Sequence, residues 1–385
     1  MNAGIQVVWG GILAVSLQAR SSALGGGNGV RAYAIVAASG ALVATIVQLV
    51  AGPLSDRLRE RSGNRQIFYA AGIAFALPAL AWFFLATDFS QLVAAFLCLE
   101  LAMNVAGGPY QAVIADYVAL DRRGNASSWM AAYQSIGNAA GLLAAGFIAD
   151  LRFVALALAA PLAVTYAVSA SAMRGLSDLA PPQQPAHATR GSSPLGTLAN
   201  LLVSRGLINL GFFTLLGFLL FFVRDTLHVA AASVTTQTAL LFLSFTLAAV
   251  AGAALAAGPT DRYDKRIVVT LAVALIVVAL GALAEARALP VAFATAALAG
   301  TAWGAFVTAD WALASAVLPA RTLATGMGVW NVATALPQVV APLLAAPLVG
   351  ALDRTHAGDG PRGAIVLALC EFALGAVVVW RLPRA

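Results

Sequence analysis

Three carboxylates stand inside long apolar runs of this chain: Glu100, Asp310 and Glu371. An acid at the centre of a membrane helix costs at least ~2.5–3.5 kcal/mol, and more against lipid. Such residues are kept for chemistry or for a structural bond. The chemistry open to an isolated carboxyl is to load and release a proton, or to fix a polar solute. Polar partners recur at helical spacing. At 100° per residue, Glu100, Asn104 and Gln111 fall within about 40° of one another, with Gly107 and Gly108 thinning the helix between them. Trp303 and Asp310 share a face by the same count, as do Gln134, Asn138 and Gly141, and again Asn331, Thr334 and Gln338. Aromatic faces beside polar groups suit sugar rings and flat organic solutes, and are also ordinary packing surfaces. The amides either meet a solute or bond a neighbouring helix, the latter worth ~0.6 kcal/mol each.

The elements that carry these residues follow from composition. Of 385 residues, 61% are hydrophobic and 10% charged, with a mean hydropathy of +0.87. Soluble chains run nearer 45–50% apolar and about 25% charged. A water-soluble globule, a disordered chain and a nucleic-acid binder are excluded. A membrane span needs about 20 apolar residues, so twelve spans take roughly 240 positions, close to the apolar content. Apolar runs predict helices at about 4–19, 32–51, 66–86, 90–114, 126–149 and 153–173, then 201–223, 234–257, 267–286, 290–317, 324–350 and 362–381. The first run reaches Gln18 with no cleavage site, predicting a retained helix. Cys98 and Cys370 fall inside apolar runs and read as buried, space-filling thiols. The three histidines lie in polar connections.

Residues 174–200 are rich in Pro, Gln, Gly and Ser, which reads as an exposed linker between halves 1–173 and 201–385. The formal charge is +6 and Lys265 is the sole lysine. With the termini and linker on one side of the membrane, fourteen basic residues fall in loops on that side and seven on the other, Arg205 left aside. That asymmetry predicts cytoplasmic termini. The halves echo each other. Ala51-Gly52-Pro53-Leu54-Ser55-Asp56-Arg57 answers Ala257-Gly258-Pro259-Thr260-Asp261-Arg262, and Tyr133-Gln134 answers Trp330-Asn331. The expected fold is therefore an all-α integral membrane protein of twelve transmembrane helices in two pseudo-symmetric six-helix bundles.

The segment from Gly52 through Asp56-Arg57 to Arg61 and Arg65 resembles the signature loop between spans two and three of the major facilitator superfamily. Gly258, Asp261 and Arg262 form its weaker copy. The resemblance covers essentially the whole chain and implies alternating-access transport by a monomer. It implies that spans one, four, seven and ten line a cavity, putting Glu100 and Asp310 on equivalent helices and Glu371 on a peripheral one. It implies that spans five and eleven meet across the halves, where Gln134, Asn138, Trp330, Asn331 and Gln338 sit. It also implies a conformational latch: Asp56, just past a helix end, faces the start of span eleven, and Arg57, Arg61 or Arg65 pairs with Asp116. On the residues alone, these arginines equally read as topology signals.

Ser55-Asp56-Arg57 with Arg61 and Arg65, and Ala115-Asp116-Tyr117-Val118 with Arg122-Arg123-Gly124-Asn125-Ala126-Ser127, are similar to the glycoside-pentoside-hexuronide cation symporters and related sugar carriers. Sodium-coupled members carry acids within spans one and two. Here those spans offer Gln6, Gln18 and Gln48, so the proton is the expected coupling ion and no other cofactor is expected. No Walker loop, His-Glu-x-x-His pair or Cys/His cluster is present in the sequence. The expected activity is secondary transport of a sugar- or glycoside-like solute at the cytoplasmic (inner) membrane, with export of amphipathic compounds as the alternative. An intramembrane enzyme is the third reading and would need Glu100 and Asp310 within about 10 Å of each other.

Overall fold

The computed structural model describes residues 1–62, 65–110, 113, 123–174, 195–317 and 323–382. Among them are twelve helices. The first bundle holds α1 (Asn2–Leu24), α2 (Gly29–Ser62), α3 (Gln66–Leu85), α4 (Phe89–Tyr110), α5 (Arg123–Phe147) and α6 (Leu151–Met173). The second holds α7 (Leu195–Phe221), α8 (Val234–Arg262), α9 (Lys265–Ala284), α10 (Leu289–Val317), α11 (Leu323–Asp353) and α12 (Asp359–Val379). A π-helical turn, Ile12–Ser16, interrupts α1, and a second, Phe222–Thr226, ends α7. Eleven of the twelve are long and apolar enough to cross a membrane. The exception, α5, carries Asn125, Ser127, Ser128, Gln134, Ser135 and Asn138, which dilute its apolar run. Large apolar side chains such as Phe75, Phe153, Val168 and Leu255 stand exposed on these helices, a surface suited to lipid.

The chain divides into two compact units, Met1–Gln184 and Pro185–Ala385, and α7 begins at Leu195, earlier than the hydropathy suggests. Each unit repeats one internal plan. In the first, α1 packs on α5 and α6, α2 on α4, and α3 on α4 and α6; in the second, α7 packs on α11 and α12, α8 on α10, and α9 on α10 and α12. The register repeats as well. Ile73, Ala76, Leu80, Leu92, Leu99 and Ala102 are buried in α3 and α4, and Val273, Ile276, Leu280, Ala292, Ala299 and Ala302 are buried in α9 and α10. This is the pseudo-symmetry that the sequence echoes imply.

Two expectations are corrected. The helix does not stop at Gly52-Pro53: α2 continues to Ser62, and α8 likewise passes Pro259 to Arg262. Proline removes one backbone donor, but the Ser55 hydroxyl donates to the Gly52 carbonyl at 2.8 Å. Arg59 and Arg61 in the last turn complement the negative end of the helix dipole. Asp56 thus lies within a helix, not past its end. The thiols are the second case: Cys98 and Cys370 are exposed on α4 and α12. Lipid is as apolar as a bundle interior, so an apolar run does not mean a buried side chain.

Candidate functional site

In the second bundle, Arg205 of α7 reaches across to Asp310 of α10. Its Nη1 donates to the Asp310 carboxylate, and Nη2 donates to the Thr334 hydroxyl of α11 at 3.2 Å. Asn209, one turn on, donates to the Arg205 carbonyl at 2.9 Å. The two charged side chains are 12% and 6% exposed. One guanidinium thus ties three helices together, and the pair is neutral as a unit. A buried charge of either sign alone is far costlier than the pair. Close helix packing sets the register. Gly300 and Gly304 lie against the backbone of Phe245 and Ala249, and Gly252 against Thr301, so α8 and α10 touch through glycines.

Trp303, expected to offer an aromatic platform beside Asp310, spends its ring on packing. It stacks on Phe212 with centroids 4.5 Å apart and planes at 14°, and meets Phe372 edge-on at 6.2 Å. Gln338 is half-buried on α11. Trp330 and Asn331 fall in α11, and their side chains lie outside the described residues, as does Gln111.

In the first bundle, Glu100 faces α2. Asn104 donates from Nδ2 to the Glu100 carboxylate at 3.0 Å and to its carbonyl at 2.8 Å. Gln48 of α2 donates to the Asn104 side-chain oxygen at 2.8 Å. Gly40 of α2 leaves the room this needs: a Cβ there would enter the Phe96 ring and touch the Glu100 side chain. Glu100 and Asn104 are buried, whereas Gln48 is exposed. Together they form a hydrogen-bonded chain from the surface of the helix pair to an interior acid.

Glu100 and Asp310 share equivalent helices but not equivalent positions. In the repeated register Glu100 answers Gly300, and Asp310 answers Tyr110. Ten residues of helix, about 15 Å, separate the two levels. In the one bundle the acid is bonded within α4 by Asn104, which in turn takes a bond from α2; in the other it bonds α7 directly.

On α5, Asn138 donates to Gln6 of α1 at 3.1 Å, an interhelical bond. Gly141 packs against the Val7 backbone, and Gln134 is exposed. In the two signature-like segments, Arg57, Arg61 and Arg262 are exposed. Gly52 and Gly258 have open space around them. Arg65 is buried, with Nη1 donating to the Ser55 hydroxyl at 2.7 Å. Asp116 and the side chains of Asp56 and Asp261 lie outside the described residues. Among the described residues no cluster of His, Cys, Asp and Glu could hold a metal ion.

Sequence reasoning missed Arg205 as a site residue, although a lone arginine inside a long apolar run is as costly as the acids. It also left Gln48 and Gln6 without partners, because pairing between helices is invisible to spacing along one helix.

The model of the Major Facilitator Superfamily matches residues 9–342 of the chain. No curated protein matches it by sequence. Among solved structures it is similar to a bacterial homologue of the human lysosomal transporter Spinster in an inward-facing, occupied conformation: 14% identity, TM-score 0.75, 99% of this chain and 94% of that one. A D-xylose-proton symporter gives 12% identity and TM-score 0.77 over 100% of this chain and 96% of that one. A nucleoside transporter gives 12% and 0.72 over 99% and 97%. At these identities the likeness is one of fold.

Proposed function

This chain belongs to the major facilitator superfamily of membrane transporters, and we propose that it carries a small polar organic solute, sugar- or glycoside-like, by alternating access in symport with protons. The observation that carries the reading is the pair of interior charge sites. Glu100, reached through Gln48 and Asn104, is the proton-binding acid. Arg205 and Asp310, joined to Thr334, form a polar anchor for solute whose pairing changes as the bundle changes state. Gln111, Gln134, Trp330, Asn331 and Gln338 supply further solute contacts. The loop residues Gly52, Asp56, Arg57, Arg61, Arg65 and Asp116, with Gly258, Asp261 and Arg262, form a latch that biases one access state. We propose the cytoplasmic membrane with cytoplasmic termini, on the arginine asymmetry, and action as a monomer, as the resemblance to the superfamily implies. The glycoside-type sugar-carrier branch is our proposed affiliation. Folds named for D-xylose with protons and for nucleosides accommodate cargo of this polarity.

One observation favours a second reading, export of amphipathic compounds. Asn104 and Asn138 are spent on bonds inside their own bundle, which leaves fewer amides for a polar cargo.

A thermal-shift screen decides between the two. Purified protein is heated with sugars, glycosides, nucleosides and amphipathic cations at two pH values, alongside Glu100→Gln and Asp310→Asn. A ligand at a hundred times its Kd adds about 2.7 kcal/mol of stability, which is readily measured. The account expects a polar solute whose effect depends on pH and loses that dependence in Glu100→Gln. Stabilisation by amphiphiles alone selects the second reading. Stabilisation independent of pH and of both acids removes the coupling.

A further inference from the structure

Glu371 plays no part in either site, and its surroundings are unlike theirs. Along α12, Ala368, Glu371, Phe372 and Gly375 form the stripe, at helical spacing, that meets α7. The seam closes to backbone contact. A Cβ on Gly211 would enter the Phe372 ring and approach the Ala368 carbonyl, and one on Gly375 would enter Ile208 and approach the Ser204 carbonyl. The Ser204 hydroxyl donates to the Gly375 carbonyl at 2.9 Å. Glu371 lies in this seam with 4% of its surface exposed. Both its carboxyl oxygens are buried with no hydrogen-bond partner among the described residues. The polar group directed at them, the Thr214 hydroxyl of α7, is buried without one as well.

An ionised carboxylate in this position needs a cation or several donors, because burying it bare is far more expensive than burying the neutral acid. The charged groups on the packed helices are elsewhere. On α7, Arg205 is directed at Asp310 and Thr334, while Arg224 and Asp225 pair with each other about 15 Å beyond Thr214 along the helix. On α9, Lys265 stands in the first turn beside Arg266, which bonds Asp264 and the Leu382 carbonyl; that is about 16 Å from Glu371 along α12. Glu285 caps the other end of α9. On α11, the described charged residue is Asp353, bound to the first turn of α12 through Gly358 and Gly360. On α12 itself, Asp359 and Arg362 sit in the first turn, roughly 3.3 and 2.5 turns away.

We infer that Glu371 is a proton-binding site, occupied as the neutral acid while the α7–α12 seam is closed and emptied when that seam opens to water. On opening, the carboxyl O–H bond breaks and the proton passes to a water molecule. The carboxylate then takes its donors from water. The use of this proton in coupling rests on the transport reading above; its binding does not.

The test therefore uses neither solute nor gradient. Infrared spectra of the protein in lipid vesicles are recorded from about pH 5 to about pH 9, a range spanning ordinary carboxylate and histidine titration. The parent shows, beside the component that Glu100→Gln removes, a second protonated-carboxyl C=O band at neutral pH that Glu371→Gln lacks. Thr214→Val keeps the band and moves its frequency, since the facing hydroxyl is gone. A parent spectrum that superimposes on that of Glu371→Gln in this region overturns the assignment. If Glu371→Gln does not yield folded protein, Thr214→Val carries the test alone: a shifted band supports the site, and an unmoved or absent band overturns it. Failure to find solute-linked proton movement would leave the band in place, so the two ideas fail separately.

Discussion

Asp310→Asn removes the anion that neutralises Arg205 and leaves the guanidinium in an interior where its side chain is 12% exposed. Breaking a buried pair by removing one partner costs about 3–5 kcal/mol. The Thr334 hydroxyl still accepts one hydrogen bond at 3.2 Å, which argues for the lower end, about 3 kcal/mol on that scale. In a bundle of roughly 200 residues, about 2–4 °C is lost per kcal/mol, so the melting temperature falls by about 6–12 °C. Arg205→Met costs less, because Asp310 without its cation can take up a proton and be buried as the neutral acid. The double variant Arg205→Met with Asp310→Leu has no charge to bury and is expected within about 1 kcal/mol of the parent. Thermal unfolding of these four proteins and of Asp310→Leu in one detergent, followed by intrinsic fluorescence, closes the cycle. The reasoning fails if the double variant melts as low as the sum of the single losses. It also fails if Asp310→Asn melts within about 1 °C of the parent, a loss well under 1 kcal/mol.

Three further outcomes follow from local geometry. Gly141→Ala drives a methyl into the Val7 backbone and should cost about 1–3 kcal/mol, whereas Gly206→Ala, with open space around it, should gain about 0.5–1 kcal/mol of helix stability; unfolding of the two side by side checks both. Asn104→Leu strips the donor from Glu100 and should cost about 1–3 kcal/mol, and Gln48→Leu should cost only ~0.6 kcal/mol, read from the same unfolding curves. Asp88 caps α4, accepting from the Ser90 hydroxyl and the Gln91 amide, with the Ser90 bond foremost in holding its carboxyl below the usual range. Its contribution is therefore complete above the unfolded value of about 3.9 and disappears as pH falls through the lower folded value. Asp88→Ala should melt below the parent at neutral pH and together with it in strong acid.

Much of the fold can be read from hydropathy, because twenty apolar residues in a row leave the backbone no alternative to a helix in lipid. The same measure is blind to what a helix faces. It put Cys98 and Cys370 inside, where the structure has them exposed, and it ended α2 at Gly52-Pro53, where Ser55 and the basic last turn carry the helix on. Spacing along one helix correctly grouped Glu100 with Asn104. It could not reveal that Gln48 completes the chain, that Arg205 answers Asp310, or that Trp303 gives its face to Phe212. Those are facts about pairs of helices, and only the packing of one against another decides them.

The central claim, solute movement tied to proton movement through Glu100, is tested most directly in sealed vesicles of purified protein holding a pH-sensitive dye. Sugars, glycosides and nucleosides are added outside at constant pH. The account predicts that at least one of them acidifies the interior as it enters, and that Glu100→Gln abolishes the acidification. Solute entry with no change of internal pH, in parent and variant alike, would contradict it.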